Sequence, residues 1–238
     1  MNTVAEQNLA RASAPFQKPF LRNDRRIRLL LLLPIVVVVA VFCFSPNFET
    51  AVDRETPFGG DFIQEWIGGH LIASGHASEL YDLEAFRAAQ HDAELLPFTW
   101  PEESYYPAVY PPFYYLVVSP LSALDYRIAT FIWGVLSALA IVITAGLLMQ
   151  YYPACHKYIG CWLAIALLFT PLLTCLNIGH KSTFLLLILT ATFVLLRNKR
   201  PFAAGLAFAI IAFKPHLFVV VGLTMLIKRQ WWFVAGNV

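Results

Sequence analysis

Long apolar runs separated by short polar ones organise this chain. Leu29–Phe44, Ile128–Met149 and Tyr158–Leu176 contain no charged residue. Apolar stretches of roughly 17–25 residues suit the hydrocarbon core of a bilayer, and a soluble core needs no such runs. The pattern predicts spanning helices at about Ile27–Phe44, Ile128–Met149, Tyr158–Leu176 and Thr183–Leu196. The first could also be the core of a cleaved leader. It is followed by Cys43-Phe44-Ser45-Pro46-Asn47, without a small-x-small cleavage pattern, so an uncleaved anchor is the expectation.

Between the first two runs the period changes. Phe62, Trp66, Ile67 and Leu71 recur at helical spacing after Asp61, with Gly75 as the stop. Leu83, Phe86 and Ala89 mark a second short helix opened by Asp82. Both read as amphipathic helices lying along a membrane surface. Tyr110–Leu124 is apolar but short, and it carries Pro111, Pro112 and Pro120. It reads as an interfacial or re-entrant piece rather than a span. Pro201–Phe213 and His216–Ile227 are each short for a crossing and flank Lys214-Pro215. They predict either a hairpin with an outer tip or one helix kinked at Pro215; the hairpin keeps Lys228 and Arg229 inside. Trp231 and Trp232 mark another interface. The chain stops where a further segment is due, which reads as a fragment or a truncated frame.

Composition strengthens the membrane reading. Hydrophobic residues make up 58% and charged residues 13%, against about 25% charged in soluble domains. Mean hydropathy is +0.62. The net charge of +2 says little about partners, and no nucleic-acid partner is expected. Its distribution says more. Residues 1–28 carry six basic residues against Glu6 and Asp24, whereas 46–110 carry twelve acids against Arg54 and Arg87. Basic flanks stay in the cytoplasm, so the N-terminus reads as inside and the acidic loop as outside. The expected fold is an all-α polytopic membrane protein of the cell membrane. Its parts are a cytoplasmic tail (1–26), a first span (27–45), an extracytoplasmic loop (46–125) and a helix bundle (126–238). Cys43, Cys155, Cys161 and Cys175 fall in or beside apolar runs and imply no disulfide framework.

Under this topology several polar groups meet on the outer side. They are Asp61 with Gln64 and Glu65, the segment around Tyr110, His180-Lys181, and Lys214 with His216. Polar groups at membrane depth are costly and commonly functional. Asp61-x-x-Gln64 has the form of a capping box, so Asp61 is a helix cap, a general base, or both. Lys181 and Lys214 are either snorkelling cations or ligands of a lipid-linked phosphate. His180 and His216 are interfacial residues or donors to that phosphate. Tyr105, Tyr106 and Tyr110 form an aromatic belt or a sugar platform. The other histidines lack a metal-ligand spacing, and neither metal nor cofactor is expected.

At these residues the sequence resembles a known family. Gly60-Asp61-Phe62-Ile63-Gln64-Glu65-Trp66, with Ala73-Ser74-Gly75 and Leu80-Tyr81-Asp82, resembles the opening motif of glycosyltransferase family 87, enzymes of the GT-C fold. Tyr110-Pro111-Pro112-Phe113 with Ser119-Pro120-Leu121 is similar to the second motif. Gly179 and Phe213-Lys214-Pro215-His216 resemble the third and fourth. His180 and His216 stand where the family usually or often has glutamine. The resemblance implies transfer of a hexose, mannose in the family's pattern, from a polyprenyl-phosphate donor to a glycan or glycolipid acceptor, inverting the anomeric carbon. Asp61 would be the catalytic base, Lys214, His180, Lys181 and His216 would hold the donor phosphate, and Gln64, Trp66 and Tyr110 would contact substrate. The alternatives are a transporter or flippase of lipid-linked sugars and an inactive truncated membrane partner.

Overall fold

A computed structural model describes residues 59–96, 105–152 and 169–237, together with Val36. The first expected span and most of the Tyr158–Leu176 run lie outside the described residues. Among the described residues every regular element is helical.

Helix α1 (Gly60–Ala73) begins after Gly59, whose left-handed backbone turns the chain into the helix. It does not lie on a surface as its spacing suggests. Gln64, Glu65 and Gly68 are buried along with Phe62, Ile63, Trp66, Ile67 and Leu71. α2 (Leu83–Gln90) is capped by Asp82, whose carboxylate accepts the N–H groups of Glu84 and Ala85. Phe86 is buried, while Leu83 points outward. α3 (Pro112–Ser122) packs along α1 at unusually close range. A methyl group at Gly68 would overlap the Tyr115 ring, and one at Gly69 would overlap the Ser122 hydroxyl. The opposite face of α3, with Phe113, Leu116 and Val117, is exposed. Burial on one face and apolar exposure on the other suit a helix wedged between protein and lipid.

α4 (Tyr126–Met149) is capped by Asp125, which accepts from Arg127 and Ile128 N–H. Its 24 residues rise about 36 Å at 1.5 Å each, enough to cross a bilayer core. Ile128, Leu136, Leu139 and Ile143 are exposed along one side. Among the described residues it is the one unbroken helix long and apolar enough to span. α5 (Thr170–Asn177) and α6 (Ser182–Arg197) are bent 113° from each other and pass the same test only as a pair. The bend falls between the two runs expected as separate crossings, Tyr158–Leu176 and Thr183–Leu196, and of the first only residues 169–176 are described.

α6 runs parallel to α4. Trp133 meets Phe184 near the start of both helices, with ring centroids 4.7 Å apart. Just past both ends, the Tyr151 hydroxyl donates to Asn198 Oδ1 at 2.9 Å. The start of α6 therefore lies near the level at which α4 begins.

α7 (Pro201–Ala209) tightens into a 3₁₀ turn (Ile210–Phe213) before α8 (Pro215–Ile227) and α9 (Trp231–Asn237). Residues ten apart in one continuous helix lie about 15 Å apart along its axis. Phe208 and Phe218 stack at 5.7 Å, so the chain reverses at Lys214 as a hairpin rather than continuing as one kinked helix. Phe208, Ala204, Ile211 and Phe233 form a small second core. No described residue of α8 is buried.

Candidate active site

The site forms where the start of α1 meets the loop between α5 and α6. Three carbonyls of that loop accept from two other elements. Gly59 N–H donates to Asn177 O at 3.4 Å and Asp61 N–H to Ile178 O at 2.9 Å. The Trp133 indole N–H donates to Gly179 O at 2.7 Å. Gly179 has φ 66°, and a Cβ there would lie 2.8 Å from the Phe62 Cβ. Only glycine satisfies both the left-handed turn and the close approach.

Asp61 is not the helix cap that its capping-box spacing suggests. Gly59 occupies the cap position, no side chain caps the helix, and Asp61 sits inside the first turn. There an acidic group complements the helix dipole. The backbone N–H that a cap would need to satisfy is already taken by Ile178 O.

The Asp61 carboxylate instead faces His180, with Oδ2 3.6 Å from Nε2 and side chains 24% and 30% exposed. The other ring nitrogen is engaged by Ser182, whose backbone N–H donates to His180 Nδ1 at 3.2 Å. In a neutral imidazole one nitrogen accepts and the other carries the proton. The bond from Ser182 therefore assigns the proton to Nε2, directed at Asp61. Burial holds the imidazole below its ordinary pKa, and Asp61 works against that shift.

One turn further along α1, Glu65 forms a buried ion pair with Lys181. The second carboxylate oxygen of Glu65 accepts from the Tyr114 hydroxyl at 2.7 Å. Lys181 Nζ lies 4.1 Å from the centroid of the Tyr110 ring. Burial pushes the Glu65 carboxyl up, and the neighbouring ammonium opposes the shift. Lys181 is thus neither a snorkelling residue nor a cation held ready at the surface; its charge is spent on Glu65.

The remaining expected site residues divide. Lys214 is half-buried at the hairpin turn. Burial and the charge of Lys181 lower its pKa, while Glu65 and Asp61 pull it up, so it shares their electrostatic environment. His216 is exposed at the start of α8, and no described contact joins it to Asp61. Trp66 belongs to the core: it is 4% exposed, its indole N–H reaches Leu124 O, and it meets Tyr126 edge-on. A sugar cannot stack on it there. Gln64 is buried, and its Oε1 has no partner among the described residues. Tyr110 is half-buried between Lys181 and Phe213. Among the described residues no group of side chains could hold a metal ion.

The sequence alone assigns no role to Glu65 or Tyr114. The available signal was spacing: Asp61 and Glu65 are four apart and share a helix face.

These features describe an all-helical, membrane-associated protein with a carboxylate–imidazole pair at one helix end. Residues 108–237 match the model of glycosyltransferase family 87, and the chain belongs to that family. It is a glycosyltransferase. The match takes in Tyr110, His180, Lys181, Lys214 and His216, whereas α1, with Asp61 and Glu65, precedes it. No curated protein and no solved structure matches the chain.

Proposed function

We propose that the protein transfers a hexose, mannose by its motifs, from a polyprenyl-phosphate donor to an extracytoplasmic glycan or glycolipid, with inversion. The observation that carries this reading is the Asp61 carboxylate facing His180 Nε2, with the half-buried Lys214 in the same electrostatic environment. Asp61 takes the proton of the acceptor hydroxyl. The acceptor oxygen then bonds to the anomeric carbon, and the bond from that carbon to the phosphate oxygen breaks. The electron pair leaves with the phosphate. His180 Nε2–H faces the carboxylate and favours its charged form, and the Lys214 ammonium meets the departing charge. A lipid carrier suits the position, because its tail enters the bilayer beside exposed Val219, Val220 and Leu223 of α8.

Lys214→Gln tests the donor half of the proposal. A hydrogen bond to a charged group is worth about 1.5–3 kcal/mol, so donor KM should rise roughly 10–100-fold. Thermal stability should change little. Unchanged donor kinetics in a well-inserted variant would return Lys214 to a snorkelling role.

We further propose a polytopic arrangement with a cytoplasmic N-terminus and the site outside. The parallel course of α4 and α6 supports it, since a chain that crosses in one direction twice must cross back between. With the four native cysteines replaced by serine, cysteines at positions 78 and 104 should react with an impermeant reagent on intact cells, and one at 198 should not. Labelling at 198 alone would invert the orientation.

A further inference from the structure

The same two segments that bring Asp61 to His180 are joined a second time. Asp61 and Glu65 lie one turn apart on α1, and His180 and Lys181 are consecutive in the loop. The outer pair is 3.6 Å apart and partly exposed. That separation is too long for a hydrogen bond, and exposed charge pairs contribute little by themselves. It does not hold its own geometry. The inner pair is different in kind, with Lys181 and Glu65 side chains 2% and 0% exposed.

We infer that the Glu65–Lys181 pair is a positioning device that fixes the loop against α1 and so holds His180 at Asp61. The loop is pinned on one side of His180 by Asp61 N–H on Ile178 O. Lys181 pins the other side. Glu65 is itself locked, because the Tyr114 hydroxyl occupies its second oxygen. The Tyr110 ring covers the lysine ammonium, leaving that flexible side chain one seat. The charged groups acting on His180 are Asp61, Lys181 and Lys214, and the Ser182 hydroxyl lies 2.7 Å from Nδ1. Neither Glu65 nor Lys181 need touch a substrate to matter. Glu65 and Lys181 act through the orientation of the imidazole.

The inference rests on the reading of Asp61 and His180 as the acceptor-activating pair, but its test needs no sugar donor. The full chain carrying ¹³C-labelled histidine is titrated in detergent by NMR, with His180 identified as the resonance lost in His180→Gln. Asp61→Asn removes the neighbouring anion and should lower the His180 midpoint. In Glu65→Leu/Lys181→Met the same Asp61→Asn change should produce less than half that response. Replacement of a buried ion pair by apolar residues commonly preserves the fold. Should that variant fail to insert, Tyr114→Phe, which removes only the hydroxyl on Glu65, should also weaken the response. An undiminished response in the folded variant tested overturns the inference. A parent that transfers no sugar but keeps the coupled titration would refute the transfer reading and leave the positioning relation standing.

Discussion

Asp61→Asn should lower sugar transfer by a factor on the order of 10²–10⁴, the usual worth of a positioned general base. The amide cannot take up the acceptor proton at neutral pH. Shape is nearly conserved, and the structure removes the main competing explanation. Because Gly59 rather than Asp61 occupies the cap position, the substitution breaks no capping bond. What is lost in stability is a first-turn charge, typically about 0.3–1 kcal/mol. The melting temperature should therefore stay close to that of the parent while turnover collapses. Donor KM should move little, since in the proposed reaction Asp61 acts on the acceptor. A variant that transfers sugar at the parental rate would leave Asp61 as nothing more than a dipole complement.

Lys181→Met should have the largest effect on stability. It leaves the Glu65 carboxylate buried with only the Tyr114 hydroxyl for company, and stripping one partner from a buried ion pair costs about 3–5 kcal/mol. The loss should depend on pH with a definite sign. Burial already raises the Glu65 pKa from its ordinary 4.5, and Lys181 opposes that rise; without the lysine it rises further. A carboxyl whose folded pKa exceeds its unfolded one binds more protons when folded, so it favours folding at low pH. The variant should be least stable at neutral and alkaline pH and recover as pH falls toward 4.5. Thermal unfolding of the detergent-solubilised variant across that range measures it. A loss that is the same at every pH would contradict the buried carboxylate as its cause.

The sequence foretold some elements well because their causes are local. The apolar run at 128–149 forms one long helix, and Asp82 caps α2 through N–H groups two and three residues away. The reversal at Lys214-Pro215 follows from proline's restrictions on its neighbours. The features that local sequence leaves open have distant partners. Asp61 has the spacing of a cap, but its N–H is taken by Ile178 from across the chain. Lys181 looks like an interfacial cation until Glu65 is placed beside it. Trp66 lies on an apparently one-sided helix, yet α3 and the start of α4 also pack against α1, and the indole is enclosed. Helical spacing reveals a face; it does not reveal how many neighbours will cover the remaining ones. The candidate site was legible as a set of residues, whereas its division into an accessible Asp61–His180 pair and a buried Glu65–Lys181 pair required the fold.

The proposed reaction is transfer from a lipid-linked donor at Asp61. Its most direct test supplies membranes containing the full chain with radiolabelled polyprenyl-phosphate mannose, and in parallel with the corresponding labelled nucleotide sugar, using membranes that lack the chain and the Asp61→Asn variant as controls. Label is expected in glycan or glycolipid from the polyprenyl donor only, dependent on the chain and nearly abolished in the variant. Transfer from the nucleotide sugar with none from the polyprenyl donor, or equal labelling by parent and variant, would contradict it.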